Sequence, residues 1–238
     1  TGKLFVIQNG ERICHPTWSF GMVDVYLTFG EAYGRMMTSL GYFAPDVFPV
    51  GSLALNSHFQ RLSGEGLREQ AYDILYIDNG SNIPPHYGGL AEDVARSEEF
   101  IFSHLNRLKS EFKNLRMAYQ LRCYKESPDQ KQDLLRLLAK YFMEDIEILD
   151  NDGKGESYVN VMRANLIITF QSTMGFEAMA LGRKVLFVNY SGFPSETMSS
   201  DGRFQIEDTL HNYDLFRDKV SELLNTKLDH VPDIARER

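Results

Sequence analysis

Short apolar runs alternate with longer amphipathic stretches along this chain. The clearest run is Leu166-Ile-Ile-Thr-Phe170, rich in β-branched and aromatic residues, which predicts a strand buried on both faces. Gln171-Ser172-Thr173 breaks it with small polar residues suited to capping a helix, and Phe176, Met179 and Ala180 then recur at helical spacing. Gly182 falls where a C-cap would, and Val185-Leu-Phe-Val188 predicts a second buried strand. Strand, polar turn, helix, glycine, strand is one βαβ unit. Ligands of such units sit at the carboxyl end of the strand, where N–H groups at the helix start attract phosphates. Gln171, Ser172, Thr173 and Met174 hold that place.

The alternation extends in both directions. Residues 71–77, 115–121 and 146–149 read as strands, residues 92–112, 130–141 and 158–164 as helices interleaved with them, and residues 213–224 as a closing helix. Together they predict an α/β fold, a Rossmann-like parallel sheet flanked by helices, over residues 71–238. Upstream, strands over 3–7, 22–29 and 47–50 surround a short helix over 31–40, so residues 1–55 read as the end of a second α/β domain. Residues 56–70, containing Ser63-Gly64-Glu65-Gly66, read as a linker.

Charge narrows the partners. A formal net charge of -8 argues against a general nucleic-acid or anionic-membrane surface, either of which needs a basic face. Cys14 and Cys123 lie far apart and in no metal-type cluster, so both read as reduced thiols. No window approaches the ~20 apolar residues of a membrane span and no signal-peptide pattern opens the chain, which makes a cytoplasmic location the expectation. The chain opens on Thr1-Gly2 and runs at once into a strand, as a fragment lacking upstream sequence would.

Candidate chemistry collects at predicted strand ends. Asn79-Gly80 comes just after the strand over 71–77 without a G-x-G-x-x-G fingerprint, so a dinucleotide site is not supported. Arg122 and Lys125 stand beyond the next strand as two cations three residues apart. Asp150 opens an Asp/Gly loop whose spacing misses the EF-hand pattern, and no metal site is expected.

The segment Ser172-Thr173-x-Gly175-Phe176-Glu177-Ala178-x-Ala180-x-Gly182-Arg183-Lys184 resembles the nucleotide-sugar loop in the C-terminal half of GT-B glycosyltransferases, especially those of bacterial surface-polysaccharide and capsule synthesis. The resemblance implies that Ser172, Thr173 and Gly175 approach the donor phosphates and that Glu177 holds ribose hydroxyls. Under it Arg122 and Lys125 neutralise the diphosphate or a sugar carboxylate, Arg by a bidentate fork and Lys as a point charge; otherwise they are ordinary surface charges. The loop opened by Asp150 reads as lying near the base or sugar. The resemblance also implies metal-free transfer from a nucleotide sugar to a glycan or lipid-linked acceptor, with no resident cofactor and any peripheral membrane attachment supplied by upstream sequence. In related transferases a His-Gly element faces the cleft at the turn occupied here by Gln8-Asn9-Gly10-Glu11-Arg12. Asn9 cannot take a proton at neutral pH, so either Asn9 orients substrate beside Gly10 while Glu11, Arg12, His15 or a residue of upstream sequence serves as base, or the segment is a plain Asn-Gly turn. Three alternatives stay open: Ser172-Thr173 as a plain cap with Glu177 a solvated acid, a nucleotide-sugar 2-epimerase of the same fold, and a non-catalytic nucleotide-binding or assembly subunit.

Overall fold

The structure is a computed structural model that describes residues 2–8, 23–39, 45–64, 69–79, 89–123, 128–142, 146–151, 153–192 and 202–227. The chain divides into two compact units, residues 1–66 and 67–237.

In the first unit, β1 (Phe5–Ile7), β2 (Val25–Thr28) and β3 (Asp46–Pro49) pair in parallel in that order. Helix α1 (Glu31–Ser39) lies close against β3, where a Cβ on Gly34 would meet Val47 Cγ1 at 2.9 Å. Helix α2 (Leu53–Gly64) comes next and takes up residues 56–64 of the stretch read as a linker over 56–70, within which the boundary between the two units falls. Ser52 starts this helix by accepting from the Leu55 N–H at 3.1 Å. The Ser-Gly-Glu-Gly run that suggested a linker belongs to the end of the helix and the residues just beyond it.

The second unit contains β4 (Tyr72–Ile77), α3 (Gly89–Glu111), β5 (Met117–Gln120), α4 (Pro128–Phe142), β6 (Glu147–Leu149) and α5 (Glu156–Met162). It continues with β7 (Ala164–Thr169), α6 (Thr173–Ala180), β8 (Lys184–Asn189), β9 (Gln205–Glu207) and α7 (Tyr213–Asn225). Among the described residues its six strands are all parallel, in the order β6-β5-β4-β7-β8-β9. This is the doubly wound arrangement, with its switch point between β4 and β7. Strand β9 escapes sequence reading because it is short and buries only Ile206.

Alternate side chains of each strand feed two cores. Ile74, Tyr76, Met117, Tyr119, Leu166, Ile168, Leu186 and Val188 face α3, α4 and α7. Leu75, Ile77, Ala118, Ile167, Val185 and Phe187 face α5 and α6. With both faces covered, the strands read as near-continuous apolar runs rather than alternating ones.

Helix α6 is packed tightly on the sheet. A Cβ on Gly175 would come within 2.8 Å of Phe187 Cε1 and 2.9 Å of Thr169 Cγ2, so only glycine lets the helix sit this near β7 and β8. The helix ends as expected at Gly182, whose φ of 73° is left-handed. The Arg183 N–H then reaches the Ala178 carbonyl at 2.9 Å and the Gly182 N–H that of Met179 at 2.8 Å, the paired bonds of a Schellman motif.

At the amino end of β8, Lys184 is 1% exposed and donates to the carbonyls of Leu224 at 3.2 Å and Thr226 at 3.0 Å, closing the end of α7. Burial, with Arg183 beside it, pulls its ammonium pKa down to about 8.

Both features are open to measurement. Gly175→Ala is expected to lower unfolding free energy by about 1–3 kcal/mol through overpacking, read as a lower urea midpoint at unchanged slope. Lys184 binds fewer protons in the folded than in the unfolded chain between about pH 8 and the ordinary lysine value. Its burial therefore weighs against folding below pH 8, and that cost fades as pH rises through the window. Comparing urea unfolding of wild type and Lys184→Met at about pH 7 and about pH 9.5 checks the sign: wild type should gain on the variant at the higher pH.

Candidate functional site

Parallel strands deliver their carboxyl ends to one edge of the second unit. Register aligns Ile77 with Thr169 and with Gln120, and Gln120 with Leu149, so the loops leaving these strands emerge side by side. Asn79, Arg122, Asp150 and Gln171, all predicted site residues, therefore share this edge with Ser172, Thr173 and Glu177 on α6. Gly80, Lys125 and the turn Asn9, Gly10, Glu11 and Arg12 lie outside the described residues, as does His15.

Buried polar side chains hold the edge together. Asp78 is buried, and its Oδ2 accepts from the Arg122 N–H at 3.3 Å, fixing the start of the loop after β5. Gln120 is buried and reaches the carbonyls of Leu121 at 3.0 Å, Leu149 at 3.2 Å and Asp150 at 3.3 Å through Nε2. Its Oε1 accepts from Asn160 Nδ2 at 2.8 Å, which ties α5 to the same edge. Thr169 Oγ1 donates to the Ile77 carbonyl at 3.1 Å across the switch point and accepts from the Ser172 N–H at 3.3 Å.

Ser172 is the N-cap of α6, and its hydroxyl accepts from the Met174 N–H at 3.3 Å. The capping role read from sequence is therefore present, and it brings the positive end of the helix to the switch point. Glu177 is not a solvated acid. It is 6% exposed, and the Tyr158 hydroxyl donates to its Oε2 at 2.9 Å. Burial and the Glu177 charge push the Tyr158 phenol far above its ordinary value, so it is a protonated donor at any working pH.

The remaining predicted residues differ in environment. The Arg122 side chain is exposed, with its guanidinium 3.4 Å from Gln130 Oε1. Asp150 is exposed and pairs with Lys131 Nζ at 2.7 Å. Gly175 faces the sheet, where its missing Cβ makes room for Phe187 and Thr169. Asp78 was read only as the start of the loop after β4, and the roles of Gln120, Asn160 and Tyr158 were not anticipated from sequence. The first two are polar residues at the ends of apolar runs, a visible signal; Tyr158 and Asn160 become meaningful only once α5 is packed beside α6.

Among the described residues, no cluster of His, Cys, Asp or Glu side chains is arranged to hold a metal ion, and no helix is long and apolar enough to cross a membrane.

The doubly wound sheet with a capped helix at its switch point defines a Rossmann-like α/β fold. The chain belongs to the family described as "putative O-antigen biosynthesis protein", whose match spans residues 7–206. No curated protein matches it. In fold it is similar to the Methanocaldococcus jannaschii UDP-GlcNAc 2-epimerase solved with UDP-GlcNAc and UDP, with TM-score 0.56, 15% identity, and 87% of this chain and 55% of that one covered. A glycosyltransferase from Rickettsia africae ESF-5 gives TM-score 0.54 at 11% identity over 98% of this chain and 64% of that one. The pneumococcal O-GlcNAc transferase GtfA, solved with UDP and GlcNAc, gives 0.54 at 11% identity over 99% and 49%. The chain thus spans between 49% and 64% of the length of these structures, and the likeness at such identities is one of fold.

The cap is directly testable. Ser172→Ala should cost about 1 kcal/mol of stability, whereas Ser172→Gly should cost a few tenths, a difference visible in thermal unfolding of the two variants.

Proposed function

We propose that the chain carries the nucleotide-binding half of a glycosyltransferase that moves a sugar from a nucleotide-sugar donor to a hydroxyl acceptor during surface-polysaccharide synthesis. The observation behind this reading is a buried carboxylate, Glu177, five residues beyond the Ser172 cap of α6. That separation is roughly 7.5 Å along the helix axis. A nucleoside diphosphate spans such a distance between its phosphates, which suit the helix start, and its ribose diol, which suits a carboxylate.

In this scheme the diphosphate leaving group is stabilised by the N–H groups and dipole of α6 and by Arg122, with Lys125 as a second cation. The chain itself supplies the neutralising positive charge, and the reaction needs no metal. Gln171, Thr173 and Asn79 line the approach, and the loop at Asp150 borders the base or sugar. Membership of an O-antigen biosynthesis family supports a glycan or lipid-linked acceptor. Two of the similar folds were solved with UDP, which makes a uridine nucleotide the first ligand to test.

A second reading is a nucleotide-sugar 2-epimerase, favoured by the fold likeness to the M. jannaschii enzyme. Interconversion of UDP-GlcNAc without an acceptor would identify it, and sugar transfer only when acceptor is added would identify the transferase.

The binding site is tested by thermal unfolding with UDP, GDP, CDP, CMP and ADP. At about 100 times its dissociation constant a nucleotide stabilises the native state by about 2.7 kcal/mol, which for a chain of this size raises the melting temperature by about 5–10 °C. One nucleotide should do so in wild type and fail to do so in Glu177→Ala. Stabilisation by none of them, or by all of them equally in both proteins, overturns the reading.

A further inference from the structure

Helix α5 has no part in the nucleotide scheme above, yet it sends one side chain into it. Tyr158 is buried in the first turn of α5, and its hydroxyl lies 2.9 Å from Glu177 Oε2. The two residues belong to neighbouring helices on the same face of the sheet, where Val161 and Ala178 pack together in one core. Through Asn160 the same short helix is tied to Gln120 at the edge of β5, so the position of α5 is fixed from two sides.

We infer that Tyr158 is a positioning residue for ribose recognition: by holding one oxygen of Glu177 it sets the direction in which the carboxylate meets the 2′- and 3′-hydroxyls, and so makes the site selective for ribonucleotides over 2′-deoxyribonucleotides. The inference rests on the nucleotide-binding reading of Glu177. A glutamate side chain loses up to about 2 kcal/mol of rotamer freedom when fixed, and Tyr158 imposes that order before any ligand arrives. A carboxylate accepts up to about four hydrogen bonds, so one bond from Tyr158 and a pair from a cis-diol are compatible. A buried acid that served only as scaffold would equally be satisfied by Tyr158, and the two roles separate in how the site treats the sugar.

The experiment compares dissociation constants for UDP and 2′-deoxy-UDP in wild type and Tyr158→Phe by isothermal calorimetry. A well-placed hydrogen bond to a charged acceptor contributes on the order of 1.5 kcal/mol, so wild type should prefer UDP about tenfold. Tyr158→Phe removes one oxygen atom and should bring that preference to about threefold or less, through weaker UDP binding, while 2′-deoxy-UDP binds within about twofold of wild type. Full ribonucleotide preference in Tyr158→Phe overturns the inference. So does equal weakening of both ligands, or a variant that no longer folds, because each marks the bond as structural. Failure of wild type to bind UDP while another ribonucleotide binds moves the same comparison to that base. Failure to bind any nucleotide overturns the underlying reading and the inference with it.

Discussion

Everything in the second unit depends on covering both faces of a parallel sheet. Six strands lie between two layers of helices, and the middle of each central strand is almost sealed from water. Polar groups cannot sit there without partners, because each unsatisfied one costs about 1–3 kcal/mol. On the strands most are displaced to the ends, and the Tyr76 hydroxyl, inside β4, donates to buried Glu98 Oε1 at 3.3 Å. Asp78, Gln120, Thr169 and Asn189 close four strands at the carboxyl edge, and Lys184 opens β8 at the other. The apolar interior thus concentrates recognisable chemistry along a single rim.

That rim is rigid because its buried polar groups satisfy one another. Gln120 joins β5 to β6 and α5, Thr169 joins β4 to α6, and Asp78 holds the loop that carries Arg122. Tyr76 stacks on Tyr119 beneath the rim at 5.1 Å, and Phe102 meets both rings edge-on. Aromatic packing of this kind adds about 0.5–1.5 kcal/mol per pair beyond area burial. Residues exposed on the rim, such as Arg122 and Asp150, can then adapt to a ligand without disturbing the groups that support them.

The fold was legible wherever burial was two-sided. Continuous apolar runs at residues 166–170 and 185–188 announce parallel strands, and Gly182 announces the helix end, because each answers a local constraint. Helix α2 was hidden because its start depends on one serine, and the glycines at its end dominate the composition. The candidate site was legible in part. Ser172, Thr173 and Glu177 stand at fixed offsets from a strand, whereas Tyr158 lies 19 positions from Glu177 and meets it only through tertiary packing. No periodicity carries that pairing. Gly175 was read as a phosphate contact from its motif; its closest neighbours are in the sheet, so the packing demand alone suffices to require glycine there.

Chain polarity explains why the two edges of the sheet differ. In a βαβ unit each helix begins at the carboxyl edge, presenting N–H donors, and ends at the amino edge, presenting carbonyl acceptors. Cations therefore suit the amino edge, and some are set on backbone carbonyls there: Lys184 on those that end α7, Arg183 on that of Ala164 and Lys109 on that of Leu115 after α3. These three side chains are consumed by the backbone, whereas Arg122 and Lys131 stand at the other edge with side-chain partners. At the opposite edge the backbone supplies donors, so the side chains that gather there are largely acceptors and amides, Asp78, Gln120, Asn189 and Glu177. Buried acids beside a donor-rich helix start are suited to a ligand that carries both kinds of group, anionic at one end and hydroxylated at the other. A nucleotide has that polarity, and an inorganic anion lacks the second half of it.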